Sequence, residues 1–176
     1  SEWGHDFRPD YMQIGDTLAR LPGTRVLACT ATATPIVRDE IVARLGLPPD
    51  TPQIVRGFAR PNLALRSEEV PDKRNRCRLV DEALSEALGL PGDNRGAAII
   101  YAPTRRITDE EGQRLAQDGW QVGVYHAGLD AEERASTHDR FSMGDLEVVV
   151  ATNAFGMGID RADVRAVIHL APPGSV

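Results

Sequence analysis

Lysine is almost absent from this sequence: of its 20 basic residues 19 are arginine, and Lys73 is the exception. Cysteine is nearly as scarce. Cys29 and Cys77 stand 48 positions apart with no Cys-x-x-Cys pair and no nearby histidine cluster, which excludes a zinc-ligand pattern and a disulfide framework and fits a reducing cytoplasm. Long apolar runs are missing too. The longest, 97–102, falls far short of the roughly 18 residues a membrane span requires, so no membrane partner is expected. No basic segment followed by an apolar one opens the chain. It begins with Ser1 rather than Met, so a trimmed start or a piece of something longer is expected. Aromatics make up only 5%, yet 41% hydrophobic and 26% charged residues exclude disorder and fibre and suffice for one good core or two small ones.

The net charge of −6 argues against a chain that binds nucleic acid with its whole surface, but the charge is unevenly spread. Residues 56–78 carry seven basic side chains against three acids, and residues 109–147 carry ten acids against three arginines. The arginine bias fits a GC-rich genome as well as it fits phosphate recognition.

Residues 24–31 form a short apolar, partly β-branched run closed by Thr-Ala-Thr and Pro35, which predicts a buried strand ending in a turn. Thr34 then caps a helix with Pro35 at its first position, followed by Ile36, Val37, Ile41, Val42 and Leu45 up to Gly46. After a proline-rich loop come short extended segments near 53–55 and 63–70, with a domain boundary inside 57–62. Beyond it the pattern predicts helix 75–88, strand 97–101, helix 104–118, strand 120–125, helix 131–141, strand 147–152 and strand 165–170. Strands rich in Val and Ile alternating with amphipathic helices imply an α/β fold with a parallel sheet and ligands at the carboxyl ends of the strands. Asp81 and Glu82 lie in the first of these helices, whose stripe of Leu79, Val80, Ala83, Leu84, Ala87 and Leu88 leaves the two acids on a solvated face.

The polar signals follow the strands: Thr30 and Thr32, then 103–106, then His126 and Gly128, then 152–160. The sharpest stretch is 148–160, where a buried strand delivers Thr152, then Gly156 and Gly158, whose bare backbone can approach a phosphate, then Asp160, a carboxylate suited to ribose hydroxyls. The third glycine and following helix of the dinucleotide fingerprint are lacking, which disfavours a Rossmann oxidoreductase.

The stretch VVVATNAFGMGIDRADVRAVIHLAPP resembles motif V of superfamily 2 helicases in its RecQ form. In order along the chain, SEWGHDFRPDY resembles the aromatic-rich loop of RecQ helicases, LACTATATP motif III, IIYAPTRR motif IV, and VGVYHAGLDAEERA the segment before motif V. The resemblance implies two RecA-like lobes: residues 1–59 as the C-terminal part of a first, incomplete lobe, and residues 60–176 as a second lobe lacking motif VI. It also implies a cytoplasmic, nucleoid-associated DNA helicase of bacterial type that uses ATP and Mg²⁺, moves 3′ to 5′ and unwinds duplex DNA in repair and recombination. Single-stranded and duplex DNA are the implied partners, with ATP in the cleft between the lobes. A P-loop needs Gly-Lys-Ser/Thr to hold phosphates and Mg²⁺, and the only lysine follows Asp72. The chain by itself is therefore expected to be inactive.

Within that resemblance Trp3, His5, Phe7 and Arg8 form a single-strand sensor that stacks on bases and holds phosphate, the alternative being aromatics that pack in a core. Thr30 and Thr32 either couple the nucleotide to DNA or cap a turn. Thr104, Arg105, His126 and Thr152 are candidates for phosphate contact, His126 equally for a structural role. Gly156, Gly158 and Asp160 are the ATP-binding candidates, and Asp160 is alternatively a helix cap. Two other functions remain open on these residues: another superfamily 2 motor, such as an RNA helicase, and a non-catalytic helicase-like binding module.

Overall fold

The computed structural model describes residues 13–30, 34–55, 60–153, 155–156 and 159–172. The chain divides into two compact units, 1–65 and 66–176.

The first unit contains α1 (Ile14–Ala19) and α2 (Pro35–Arg44). Thr34 accepts the Val37 N–H through its side chain and Pro35 occupies the first turn, as the sequence predicts for α2. The expected strand at 24–31 does not form over its described residues, and Leu27 is 87% exposed. A strand exists only by pairing, and no described residue of this unit offers it a ladder. The segments at 53–55 and 63–70 are likewise unpaired.

In the second unit Asp72 accepts the Asn75 N–H and starts α3 (Lys73–Leu88) two residues earlier than predicted. There follow β1 (Ala97–Tyr101), α4 (Arg105–Gln117), β2 (Val122–Tyr125), α5 (Ala131–Met143), β3 (Val148–Ala151) and β4 (Val164–His169). A reciprocal capping box between Asp130 and Glu133 opens α5, and Gly144, in the left-handed conformation at φ 91°, closes it. The predicted strand at 120–125 starts late because Trp120 donates its N–H to the Leu115 carbonyl and its ring enters the core, so the chain is still turning there.

The four strands are parallel in the order β2-β3-β1-β4, with Ile99 opposite Val149 and Ile100 opposite Ile168. Both faces are covered, which is why β1 and β3 read as unbroken apolar runs. Ala98, Ile100, Val148 and Val150 meet Val80, Leu84 and Leu88 of α3 and Leu115 of α4. Ala97, Ile99, Val149 and Ala151 meet Phe141 of α5, Leu146 and Phe155. Asp81 and Glu82 lie on the outer face of α3, paired with Arg114 and Arg78.

The loops at the carboxyl edge of the sheet

Parallel strands send all their following loops to one edge, and Thr104, Arg105, His126 and Thr152 lie there, whereas Asp160 stands further along the loop after β3, four residues before β4 begins. After β1, Thr104 caps α4: its hydroxyl accepts the Ile107 N–H at 3.3 Å, and its carbonyl accepts the Thr108 hydroxyl at 2.9 Å. The first turn of α4 holds Arg105 and Arg106 and no acid. Arg106 pairs with Glu110, whereas Arg105 is exposed with no ion pair among the described residues. Exposed arginine beside the free N–H groups of a helix start is an arrangement that attracts phosphate.

After β2, His126 is 5% exposed. Its Nε2 meets Asp109 Oδ1 at 2.9 Å and its Nδ1 accepts the Gly128 N–H at 3.1 Å, which assigns the neutral ring with the proton on Nε2. Both nitrogens are therefore occupied, and His126 shapes the loop rather than presenting a free nitrogen to a ligand. Arg105 crosses this loop, since a Cβ placed on Gly128 would lie 3.2 Å from Arg105 Cδ.

After β3, Thr152 donates its N–H to the Tyr125 carbonyl and accepts the Phe155 N–H through its own, leaving its half-buried hydroxyl without a partner among the described residues. The next turn is fixed by residues that sequence reasoning did not single out. Tyr101 Oη donates to the Phe155 carbonyl at 3.0 Å, and burial raises the phenol's pKa, so the donor stays protonated. The Phe155 ring packs against Tyr125 and Phe141. Gly156 adopts φ 122°, and a Cβ there would sit 2.6 Å from Tyr101 Oη, so both backbone and space require glycine. The signal for Tyr101 was its place in the period-2 pattern of β1, on the face of Ala97 and Ile99, toward α5.

Asp160 is exposed and makes no side-chain bond to the described residues. No helix follows it, because residues 162–163 turn directly into β4, so the capping alternative has nothing to cap. Thr30 is exposed in the first unit. Trp3, His5, Phe7, Arg8, Thr32 and Gly158 lie outside the described residues.

A glycine turn too tight for a Cβ, followed by an unpaired carboxylate, suits ribose and backbone contacts, while a triphosphate cradle has no Gly-Lys-Ser/Thr in the sequence to build it. Among the described residues no three His, Cys, Asp or Glu side chains stand together, so Mg²⁺ acquires no assigned ligand here.

A parallel sheet in the order β2-β3-β1-β4 with helices on both faces is a RecA-like α/β lobe. S. cerevisiae Dbp5 bound to RNA and ADP–BeF3 has the same fold, with a TM-score of 0.69, 20% identity, and coverage of 96% of this chain and 42% of that one. The chain belongs to the helicase conserved C-terminal domain family, whose model matches residues 80–176. It is 39% identical over 175 residues to the bifunctional 3′-5′ exonuclease/ATP-dependent helicase WRN of Mus musculus, covering 98% of this chain and 12% of that protein. It is 37% identical to the ATP-dependent DNA helicase RecQ of Bacillus subtilis (98% and 28%) and 37% identical to ATP-dependent DNA helicase Q5 of Rattus norvegicus (96% and 18%). The RecQ resemblance thus runs through nearly the whole chain, which spans less than a third of the length of each of these three relatives.

Proposed function

We propose that this chain is part of a RecQ-type, ATP- and Mg²⁺-dependent DNA helicase that moves 3′ to 5′ along a single strand, unwinds duplex DNA in repair and recombination, and works in the cytoplasm of a bacterial-type cell. The observation that carries the reading is that Arg105 and the Thr152 hydroxyl, each without a side-chain partner among the described residues, stand on loops leaving the carboxyl edge of one parallel sheet, and that the exposed Asp160 carboxylate follows further along the second of these loops, toward β4.

In this reading Arg105 and the start of α4 hold one DNA phosphate, with Thr104 fixing that helix start, and Thr152 donates its hydroxyl to another. His126 positions the loop under Arg105. Gly156 and Gly158 let the backbone approach the nucleotide, and Asp160 accepts from the ribose hydroxyls. Trp3, His5, Phe7 and Arg8 stack on and hold single-stranded DNA, and Thr30 and Thr32 couple that binding to the nucleotide. Hydrolysis of bound ATP supplies the free energy for movement.

The test is binding of the full-length protein to single-stranded DNA as a function of salt. Arg105→Ala should weaken binding evenly across sequences and flatten the log–log salt dependence by about 0.7, the value of one lost phosphate contact on a single strand. An unchanged slope and affinity for both Arg105→Ala and Thr152→Ala would overturn the assignment of this edge to DNA.

A further inference from the structure

Arg161, the residue after Asp160, carries a charged side chain that is only 10% exposed and bonded through every one of its nitrogens. Its Nε and Nη2 donate to the two carboxylate oxygens of Asp163 at 2.6 and 2.9 Å. Its Nη1 donates to the carbonyls of Phe141 and Leu146, both at 2.8 Å, and the guanidinium lies 4.7 Å from the centre of the Phe141 ring. Phe141 belongs to the last turn of α5, Leu146 to the connection into β3, and Asp163 to the turn into β4. One side chain therefore ties three segments together.

Packing alone does not require a cation here, because burying a guanidinium costs desolvation that an apolar side chain of similar volume would avoid. What the fork adds is direction: bonds to fixed carbonyls and to a carboxylate specify a backbone path, as dispersion contacts do not. The path so specified is that of Asp160. On its other side the loop is held by Tyr101 through the Phe155 carbonyl and by the turn at Gly156. The exposed carboxylate thus sits beside one of two fixed anchors.

We propose that Arg161 is the positioning residue for Asp160: its fork onto Asp163, Phe141 and Leu146 sets the place from which Asp160 reaches the nucleotide. The inference rests on the nucleotide reading of Asp160 and goes beyond it, because it assigns a residue that need never touch the ligand.

The experiment measures KM for ATP, kcat and melting temperature of the full-length protein in DNA-stimulated phosphate release, well below the melting temperature of every variant. Arg161→Gln should raise KM about fivefold, as expected for losing one well-placed hydrogen bond, with kcat nearly unchanged. Arg161→Lys, which keeps a cation at the two carbonyls but loses the fork, should fall between Arg161→Gln and wild type. Combined with Asp160→Ala, Arg161→Gln should add no further rise in KM. Should Arg161→Gln fail to fold, Asp163→Asn keeps the carbonyl bonds, weakens the fork, and should still raise KM. A lower melting temperature with wild-type KM in Arg161→Gln and Asp163→Asn, or an additive double variant, would overturn the proposal while leaving Asp160 in the site. An unchanged KM in Asp160→Ala would remove Asp160 and the proposal together.

Discussion

A free side chain and a satisfied one can occupy equivalent loops and do opposite things. His126 follows β2 as Thr152 follows β3, yet both nitrogens of His126 are engaged within the unit whereas the Thr152 hydroxyl has no partner among the described residues. Asp160 is the clearest open case. Removing its carboxylate should cost the ribose bonds, about 1–2 kcal/mol for a charged acceptor, which is roughly a five- to thirtyfold rise in the apparent ATP constant. Because the side chain supports no helix and no bonded neighbour among the described residues, the melting temperature of Asp160→Ala should stay at the wild-type value. Titrating ATP against turnover and recording a thermal melt on the same variant checks both halves, and a destabilised protein with wild-type nucleotide dependence would contradict the assignment.

The elements differ in what holds their ends. Helices α4 and α5 are capped by side chains within three residues, so their starts depend on local pairs, Thr104 with the Ile107 N–H and Asp130 with Glu133. The entry to β4 depends on the Arg161–Asp163 pair, and there the guanidinium holds the Asp163 carboxyl below its ordinary value. A carboxyl with a depressed folded pKa contributes stability that is fully present above its unfolded value and is lost as pH falls through the folded one. The melting-temperature gap between wild type and Asp163→Asn should therefore be constant from neutral pH down to about pH 5, then close as the pH drops below the usual carboxylate range near 4. A gap independent of pH would mean that the ion pair contributes nothing to holding β4. Glu147 pins the entry to β3 at the same end of the sheet, its buried carboxylate accepting the N–H groups of Gly92 and Gln121.

At the scale of the whole molecule the two units are unequal. The second encloses cores on both faces of its sheet, while the helices of the first contain no buried residue among those described, and Leu27, Ile36 and Ile54 are largely exposed. The sequence carries no Gly-Lys-Ser/Thr to cradle a triphosphate. The isolated 176-residue chain should accordingly release no phosphate from ATP above background, with or without single-stranded DNA, and turnover at the rate of a helicase would contradict the reading of this chain as part of a larger enzyme.

What the sequence by itself determined was local. The helices of the second unit were legible because caps and apolar stripes act over three or four residues, and β1 because Ala97 to Tyr101 is apolar without a break. The placing of Thr104, Arg105 and Thr152 on one edge followed from that alternation, since parallel strands send their loops the same way. What only the tertiary structure decided lies between residues far apart in the chain: the fork of Arg161 onto Phe141, 20 residues away, and the bond from Tyr101 to Phe155, 54 residues away. The failure of 24–30 to become a strand has the same origin, for apolar β-branched residues favour extended backbone, but a strand needs a neighbour to accept its hydrogen bonds, and that neighbour is not specified within the run itself.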